Sequence, residues 1–168
     1  MEENKIIKGV GKDAEIITNQ NGGKQSKSPM ALHLLDPLFL HDMVVLELPK
    51  IENESIKEAI SYIIYFMNSG SLFELRMALT KIEPNAFKQI IRIGEVLLEG
   101  ADRYEPNNWR LIPQEEHINH TLIHLLAAAM GDTQDNHLDH AMCRIMMAYA
   151  TKKSEGFDYN KYIKKDVA

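Results

Sequence analysis

The histidines of this chain are concentrated in one stretch, residues 100–150. That stretch holds five of the seven histidines, together with the only Trp and the only Cys. At about 100° per residue, helical spacing places Glu116, His120 and His124 within roughly a quarter-turn of one helix face. Imidazole and carboxylate groups on one face can hold a divalent metal ion or accept a proton from water. We therefore predict these three side chains as the catalytic group.

A second polar helix face follows after a short acidic turn. His140 and Arg144 share one face of a helix predicted over 137–150, and the short connection makes it the antiparallel neighbour of a helix over 114–130. Side chains from the two faces then converge on one volume. The predicted metal ligands are His120, His124, Asp135 and His140. This imidazole-rich set favours Mn²⁺, Co²⁺ or another transition metal, whereas the carboxylates would also suit Mg²⁺.

The same residues permit an interpretation without a metal. Buried histidines on neighbouring helices can form a hydrogen-bond network, in which Asp135 would serve as the N-cap of the second helix. The spacing alone is compatible with either arrangement.

Cationic side chains near the histidines are candidates for binding phosphate groups. Arg103 and Arg144 can each contact two phosphate oxygens at once. Lys24 and Ser26 lie on a polar, glycine-containing loop that could cradle a phosphate. The alternative for this loop is a solvated terminus without a ligand.

Aromatic and amide side chains could recognise a base. Tyr104 and Trp109 can stack on a purine, with Asn107 or Asn108 pairing with its edge. Trp109 could equally fill the core and close its loop onto the helices. The predicted substrate-binding residues are therefore Lys24, Ser26, Arg103, Tyr104, Asn108, Trp109 and Arg144.

The composition describes a soluble globular protein with one domain. The chain has 168 residues, 45% of them hydrophobic, and a formal net charge of −5. That charge argues against a surface for duplex nucleic acid, though not against binding a nucleotide. Cys143 alone cannot form an internal disulfide, which suits a reducing compartment. No apolar run approaches the roughly 20 residues of a membrane span, so we expect a cytoplasmic protein.

Apolar periodicity predicts an all-α fold, a compact bundle of five or six helices. One helix begins at the capping-box pattern of Ser55 and Glu58, and a second spans Leu72 to Ile82. Pro84 can start a third helix, which Gly100 is expected to end as a left-handed stop.

The remaining segments carry weaker signals. Residues 30–48 are apolar, but their type is ambiguous between a short helix and extended chain. We see no strand ladder. We assign residues 1–29 to a polar, loop-like segment and residues 30–168 to a single all-α domain.

Several of the residues above fall into short motifs. The motifs are Gly23-Lys24-Gln25-Ser26, then Ala101, Arg103, Tyr104, Asn108 and Trp109, then His120 and His124, then Gly131-Asp132, and finally His140 with Arg144. With these motifs the chain resembles the dATP/dGTP diphosphohydrolase domain proteins that are common in bacteriophages. That family looks related to the all-α MazG-like pyrophosphohydrolases.

This resemblance implies a MazG-like helical bundle that uses a divalent metal. It implies hydrolysis of dATP or dGTP to the monophosphate and pyrophosphate, by a homo-oligomer that acts in the host cytoplasm if it is encoded by a phage. It adds Gln25 to the substrate-binding residues. It also marks residues 53–83 as a helical insert ahead of the motif-bearing helices over 85–150.

Two departures from the family pattern leave other functions open. MazG-like enzymes hold Mg²⁺ with two acidic helix pairs, where this chain offers histidines, and the segment between Asp36 and the helix before Arg103 is longer than is typical. Both departures favour the alternative of a non-catalytic nucleotide-binding protein that sequesters a nucleotide signal. A third possibility is a structural protein whose apolar segments 38–48 and 56–79 form an oligomer interface.

Overall fold

Helices make up most of the chain. The computed structural model describes residues 4–153. Its helices are, in chain order, α1 (Pro37–Glu47), α2 (Glu54–Ser69), α3 (Leu72–Ile82), α4 (Ala86–Arg103), α5 (Gln114–Ala129) and α6 (His137–Lys153). A short antiparallel hairpin of β1 (Ile16–Thr18) and β2 (Lys24–Ser26) precedes them. The prediction of an all-α fold is confirmed, and the end of the predicted domain, residues 154–168, lies outside the described residues.

Helices α5 and α6 form an antiparallel pair at the centre of the structure. Their predicted spans of 114–130 and 137–150 are confirmed. Gly131, with a φ of 85°, turns the chain between them. Every residue of α5 from His117 to Leu125 is buried. The polar side chains in that run must therefore find partners inside the protein.

Helices α2 and α3 pack against the α5–α6 pair, with α2 on α5 and α3 on α6. The core between them contains fully buried aliphatic side chains from all four helices: Ile60, Ile63, Leu75, Leu122 and Ile145. The N-cap of α2 is Asn53, whose side chain accepts a hydrogen bond from the Ile56 N–H, and not Ser55 as the capping-box pattern predicted. Gly70 ends α2 in the left-handed conformation, with a φ of 66°.

The ambiguous apolar segment 30–48 contains helix α1. Pro37 occupies its first turn, and the Asp36 side chain caps it by accepting a hydrogen bond from the Phe39 N–H at 2.9 Å. This combination of an acidic cap and a first-turn proline is a strong helix start. Leu40 and Val44 bury the inner side of α1 in the main core. Across residues 4–153, none of the helices combines the length and apolar character that crossing a bilayer requires.

Helix α4 is longer than predicted. Asn85 caps its start after Pro84, and the helix continues through Gly100 to Arg103. The Tyr104 N–H still bonds to the Gly100 carbonyl, and the chain leaves the helical conformation only at Tyr104. The prediction of Gly100 as a left-handed stop is therefore wrong. Ile93 anchors α4 on α6 by packing with Met142 and Cys143.

The N-terminal segment is more ordered than the loop we predicted. Strands β1 and β2 pair with Ile17 opposite Gln25. The Asn19 side chain organises the turn between them, accepting hydrogen bonds from the Asn21 and Gly23 N–H groups. Ahead of the hairpin, Ile7 and Val10 are buried against α5. Residues 4–29 therefore contain a short strand pair and core contacts, which the sequence did not indicate, within the polar segment that it predicted.

Candidate functional site

A cavity of about 380 Å³ lies between the hairpin, α4, α5, α6 and the connection after α4. Eleven of the predicted site residues line it: Lys24, Ser26, Arg103, Tyr104, Asn108, Trp109, His120, His124, Asp135, His140 and Arg144. The fold therefore gathers residues from both ends of the described chain around one space. Their individual roles remain predictions.

Two predicted site residues do not line the cavity, Gln25 and Glu116. Successive side chains of a strand point to opposite faces, so Lys24 and Ser26 reach the cavity while Gln25 points away and is buried. Glu116 lies in the first turn of α5 and is half-buried. Its negative charge instead favours the charged form of Arg144, so it supports the cavity's cation from outside.

His124, Asp135 and His137 form a cluster that could hold a metal ion. One ligand atom from each lies within 4.8 Å of the others. The Nδ1 atoms of His124 and His137 are 2.9 Å apart. Asp135 Oδ2 is buried and has no hydrogen-bond partner among the described residues. Burial and the neighbouring His140 hold the pKa of His124 well below its usual value, so that ring is neutral and offers a lone pair.

This donor set fits the divalent metal that the family resemblance implies. Two imidazoles and a carboxylate suit a transition metal or Mn²⁺. His140 lies beside the cluster, with its Nε2 3.4 Å from Asp135 Oδ1 and its ring stacked on His124 at 5.2 Å between centroids. Of the four predicted ligands, the structure brings His124 and Asp135 together, places His140 next to them, and adds His137.

Asp132 supports this cluster from behind. Its carboxylate lies 3.0 Å from His137 Nε2 and accepts hydrogen bonds from the backbone N–H groups of Ile6, Ile7 and Gln134. Burial disfavours its charge, but the hydrogen bonds from His137 and the backbone outweigh burial and lower the pKa of Asp132 below its usual value. A carboxylate behind a histidine orients the ring and raises its basicity as a ligand. The fixed anion thus directs His137 Nδ1 toward His124.

His120 is set apart from the metal cluster. Its Nε2 lies 3.0 Å from the hydroxyl of Ser28, which follows the hairpin. Burial, then the positive charge of Arg144, lowers the pKa of His120 well below its usual value. The ring is therefore neutral at the edge of the cavity, and its lowered pKa makes it a weak base. Its predicted role as a metal ligand has no counterpart among the contacts of the described residues, and its predicted role as a base stays a prediction.

Arg144 is held by a buried chain of hydrogen bonds. His117 Nε2 lies 3.0 Å from the Trp109 carbonyl, which can only accept, so this nitrogen carries the proton. His117 Nδ1 is then free to accept from Arg144 at 3.1 Å. Burial and the charge of Arg144 lower the pKa of His117 to about 3, which keeps the ring neutral. Burial also lowers the pKa of Arg144 below its usual value, and a guanidinium stays charged in proteins.

Trp109 is both packed and exposed to the cavity. Its ring meets His117 edge-on at 6.5 Å, and the Arg110 guanidinium lies 4.2 Å from its centroid. The side chain is half-buried and lines the cavity together with Tyr104. Trp109 therefore contacts His117 and also faces the cavity, and its stacking on a purine stays a prediction.

Asn108 joins the hairpin to the connection after α4. Its Oδ1 accepts from the Lys24 N–H at 2.8 Å, and its Nδ2 donates to the Lys24 carbonyl at 2.6 Å. The Asn108 amide thus accepts a hydrogen bond from Lys24 and donates one back to it, which is the pattern of a hydrogen-bonded residue pair in an antiparallel sheet. These contacts position Lys24, and the role of Asn107 or Asn108 in pairing with a base edge stays a prediction.

The rim of the cavity is rich in cations. Lys12 and Lys27 line it in addition to the predicted Lys24, Arg103 and Arg144. Among the described residues, its acidic lining consists of three side chains, Glu99, Glu105 and Asp135. This surplus of positive charge suits an anionic ligand.

Residues 74–160 match the sequence model of one family, dATP/dGTP diphosphohydrolase, N-terminal. The match covers more than half of the chain. The chain belongs to this family. No curated protein and no solved structure matches it.

The dATP/dGTP diphosphohydrolase match places most of the cavity within the shared region. It begins inside α3 and covers all of α4, α5 and described α6, with the connection that carries Tyr104 and Trp109. The hairpin with Lys24 and Ser26 lies outside the matched residues. Family membership therefore rests on the part of the chain that supplies the histidine cluster and Arg144.

Sequence reasoning left several residues described above out of the predicted site, namely Lys12, Lys27, Ser28, His117, Asp132 and His137. It counted His137 towards a metal site without naming it as a ligand. The signals for His117 and His137 were present, because they lie near the polar faces of α5 and α6. Asp132 belonged to a motif but had no predicted role. Lys12 carried no signal at all, since its position depends on the path of the N-terminal segment over the helices.

Proposed function

We propose that this protein is a metal-dependent hydrolase of deoxypurine nucleoside triphosphates, releasing the monophosphate and pyrophosphate. Family membership supports the substrate class. The observation that carries the proposal is that one cavity is lined both by the ligand pair His124 and Asp135 and by the cations Lys24, Arg103 and Arg144. Hydrolysis of a phosphoanhydride needs both kinds of group beside the same substrate.

The metal-binding residues of the proposal are His124, Asp135 and His137, with His140 as a further ligand or a support. A divalent ion bound there would neutralise charge on the phosphates and polarise the bond to be cleaved. Asp132 holds His137 in the orientation that directs its Nδ1 into the cluster. Asp135 Oδ2 is buried without a hydrogen-bond partner among the described residues, so a bound cation would stabilise its negative charge.

His120 is proposed to position the attacking water, because its neutral ring lines the cavity beside the Ser28 hydroxyl. The lowered pKa makes this ring a weak base, so a bound divalent ion would supply most of the activation of that water. Glu116, which the sequence predicted as a catalytic residue, has no access to the cavity. We assign to it an electrostatic effect on Arg144.

The cations are proposed to hold the triphosphate. Arg144 is the most precisely placed, because His117 fixes its guanidinium from inside the protein. Lys24 and Arg103 are exposed at the rim and contribute flexible charges. Tyr104 and Trp109 offer aromatic surfaces for the purine.

The direct test is to incubate untagged protein with dATP or dGTP and Mn²⁺, Co²⁺ or Mg²⁺. Separating the products by anion-exchange chromatography distinguishes pyrophosphate from phosphate and triphosphate. Release of pyrophosphate that is lost in His124→Asn and Asp135→Asn supports the proposal. Asp42→Asn, an exposed carboxylate on α1, is the matched control. Absence of turnover with every ion, from protein that is folded by circular dichroism, overturns it.

A nucleotide-binding protein without catalysis is the second candidate. The position of Glu116 outside the cavity favours it, because the lining then contains few carboxylates to act as bases. Calorimetric binding of dGTP, followed by recovery of intact nucleotide after denaturation, would identify this function. Cleavage of the bound nucleotide would reject it.

A further inference from the structure

Within residues 4–153, one side of helix α4 is exposed. Phe87, Ile90, Ile91 and Leu98 expose 78%, 67%, 60% and 69% of their surfaces. The opposite side packs on α6 through Ile93, the buried residue of this helix. A contiguous apolar face on a folded domain marks an interaction surface.

The exposed side chains follow the spacing of a coiled-coil seam. Phe87, Ile91, Gly94, Leu98 and Ala101 follow one another at intervals of four, three, four and three residues, which is the alternation of a and d positions in a heptad. A Cβ added at Gly94 would meet nothing within 4 Å. The seam therefore has a notch at its middle, between two large side chains.

We propose that this seam pairs with the same seam of a second copy, forming an antiparallel dimer with two-fold symmetry. An axis at the level of Ile93 sets Ile91 opposite Gly94 of the second copy, so that the larger side chain fills the notch. The same axis sets Phe87 opposite Leu98. Each contact then occurs twice, as in any isologous interface.

The charges beside the seam favour a second copy over a different partner. Lys88 and Glu95 are exposed along the same edge, one heptad apart. In the antiparallel pair, Lys88 of each copy faces Glu95 of the other. Neither side chain has an ion-pair partner within residues 4–153.

The pairing lies next to the cavity. Val96, Leu97 and Arg103 of α4 all line the cavity. A second helix along the outer side of α4 would stiffen the wall that carries Arg103. The dimer is inferred from the α4 surface alone and does not depend on hydrolysis.

Sedimentation velocity of the full chain over a concentration series tests the dimer. The wild-type protein is expected to sediment as a reversible dimer. Ile91→Asp sets a carboxylate from each copy into the seam and is expected to leave a monomer. Leu38→Asp is the matched control, because Leu38 on α1 is 69% exposed, the same as Leu98. Circular dichroism establishes that both variants remain helical.

The charge pairs provide a second test that a folding defect cannot imitate. In Lys88→Glu, the new glutamate of each copy faces Glu95 of the other copy, so two like-charge pairs form. This variant is expected to weaken the dimer about tenfold. The double variant Lys88→Glu/Glu95→Lys is expected to restore it. Lys8→Glu, at an exposed position of the N-terminal segment, controls for net charge.

Three results overturn the proposal. One is a monomeric wild-type protein at every concentration. Another is disruption by Leu38→Asp in place of Ile91→Asp, which would move the interface to α1. The third is a double charge variant that associates no better than Lys88→Glu alone.

Discussion

His117 Nδ1 accepts a hydrogen bond from the Arg144 guanidinium at 3.1 Å, across the interface of α5 and α6. The Trp109 carbonyl holds the other ring nitrogen in its protonated form, so the tautomer of His117 is set by the backbone. The guanidinium that we propose to bind phosphate is therefore oriented by a neutral histidine. Within residues 4–153, no carboxylate forms an ion pair with this guanidinium.

This relationship predicts unequal losses of activity in two variants. Arg144→Gln should lower kcat/KM for dGTP about a hundredfold, because a charged hydrogen bond in a partly dry site contributes about 2–3 kcal/mol to the transition state. His117→Gln should lower it less, about tenfold, since the guanidinium stays but loses its fixed direction. Arg76→Gln, at an exposed position on α3, should leave kcat/KM unchanged. Equal activity of Arg144→Gln and wild type would remove Arg144 from the site.

The Kd for Mn²⁺ should distinguish the residues that bind the metal directly from the residues that only hold those ligands in place. Asp135→Asn and His137→Gln should each raise the Kd for Mn²⁺ about 10- to 100-fold, as measured by calorimetry on untagged protein. Asp132→Asn should raise it about tenfold, because it loosens His137 without removing a ligand. Asp42→Asn should have no effect. If His120→Asn weakened Mn²⁺ binding as strongly as Asp135→Asn, the cluster assigned here would be the wrong one.

Two glycine substitutions should change stability in opposite directions. A Cβ at Gly23 would lie 2.9 Å from the Leu111 carbonyl, so Gly23→Ala should lower the free energy of unfolding by about 1–3 kcal/mol. A Cβ at Gly100 would meet nothing within 4 Å, and this residue is helical. Gly100→Ala should therefore raise the free energy of unfolding by about 0.5–1 kcal/mol. Urea denaturation measures both, and a destabilising Gly100→Ala would contradict the helical assignment.

Acid should destabilise the protein through its buried histidines. The pKa of His117 falls from 6.5 in the unfolded chain to about 3 in the folded protein, mainly because of burial. The unfolded chain thus takes up a proton first, and the free energy of unfolding decreases as the pH falls from 6.5 towards 3. His117 alone should account for a loss of about 2 kcal/mol by about pH 5.

Urea denaturation across this pH range can isolate the His117 contribution. The slope against pH should be shallower in His117→Gln than in wild type, whatever the absolute stability of the variant. Parallel slopes for wild type and His117→Gln would show that His117 does not couple folding to protonation.

The two central helices and their polar faces were predictable because helical periodicity is a local property. His120, His124, His140 and Arg144 line one cavity, as the spacing indicated. The starts of α1 and α4 also follow from local chemistry, since Asp36 and Asn85 cap them from within one turn. The sequence-based helix boundaries failed mainly at Gly100, where the helix continues.

The N-terminal half of the site was not predictable in the same way. Asn108 and Lys24 are 84 residues apart, yet their backbone and amide groups bond directly. The hairpin has no alternating apolar pattern, so its strands gave no periodic signal, and the burial of Gln25 follows only once β2 exists. The Asp132 contacts with Ile6 and Ile7 likewise depend on where the N-terminal segment crosses the helices.

By itself the sequence determined the types of the reactive groups, the helices that carry most of them, and the family to which the chain belongs. The tertiary structure decided which groups meet. It paired His137 with His124, turned Gln25 and Glu116 away from the cavity, and used Asn108 to hold Lys24. Helical spacing fixes the direction of a side chain relative to its own axis, whereas convergence depends on how separate elements pack, which is set by contacts between residues distant in the chain.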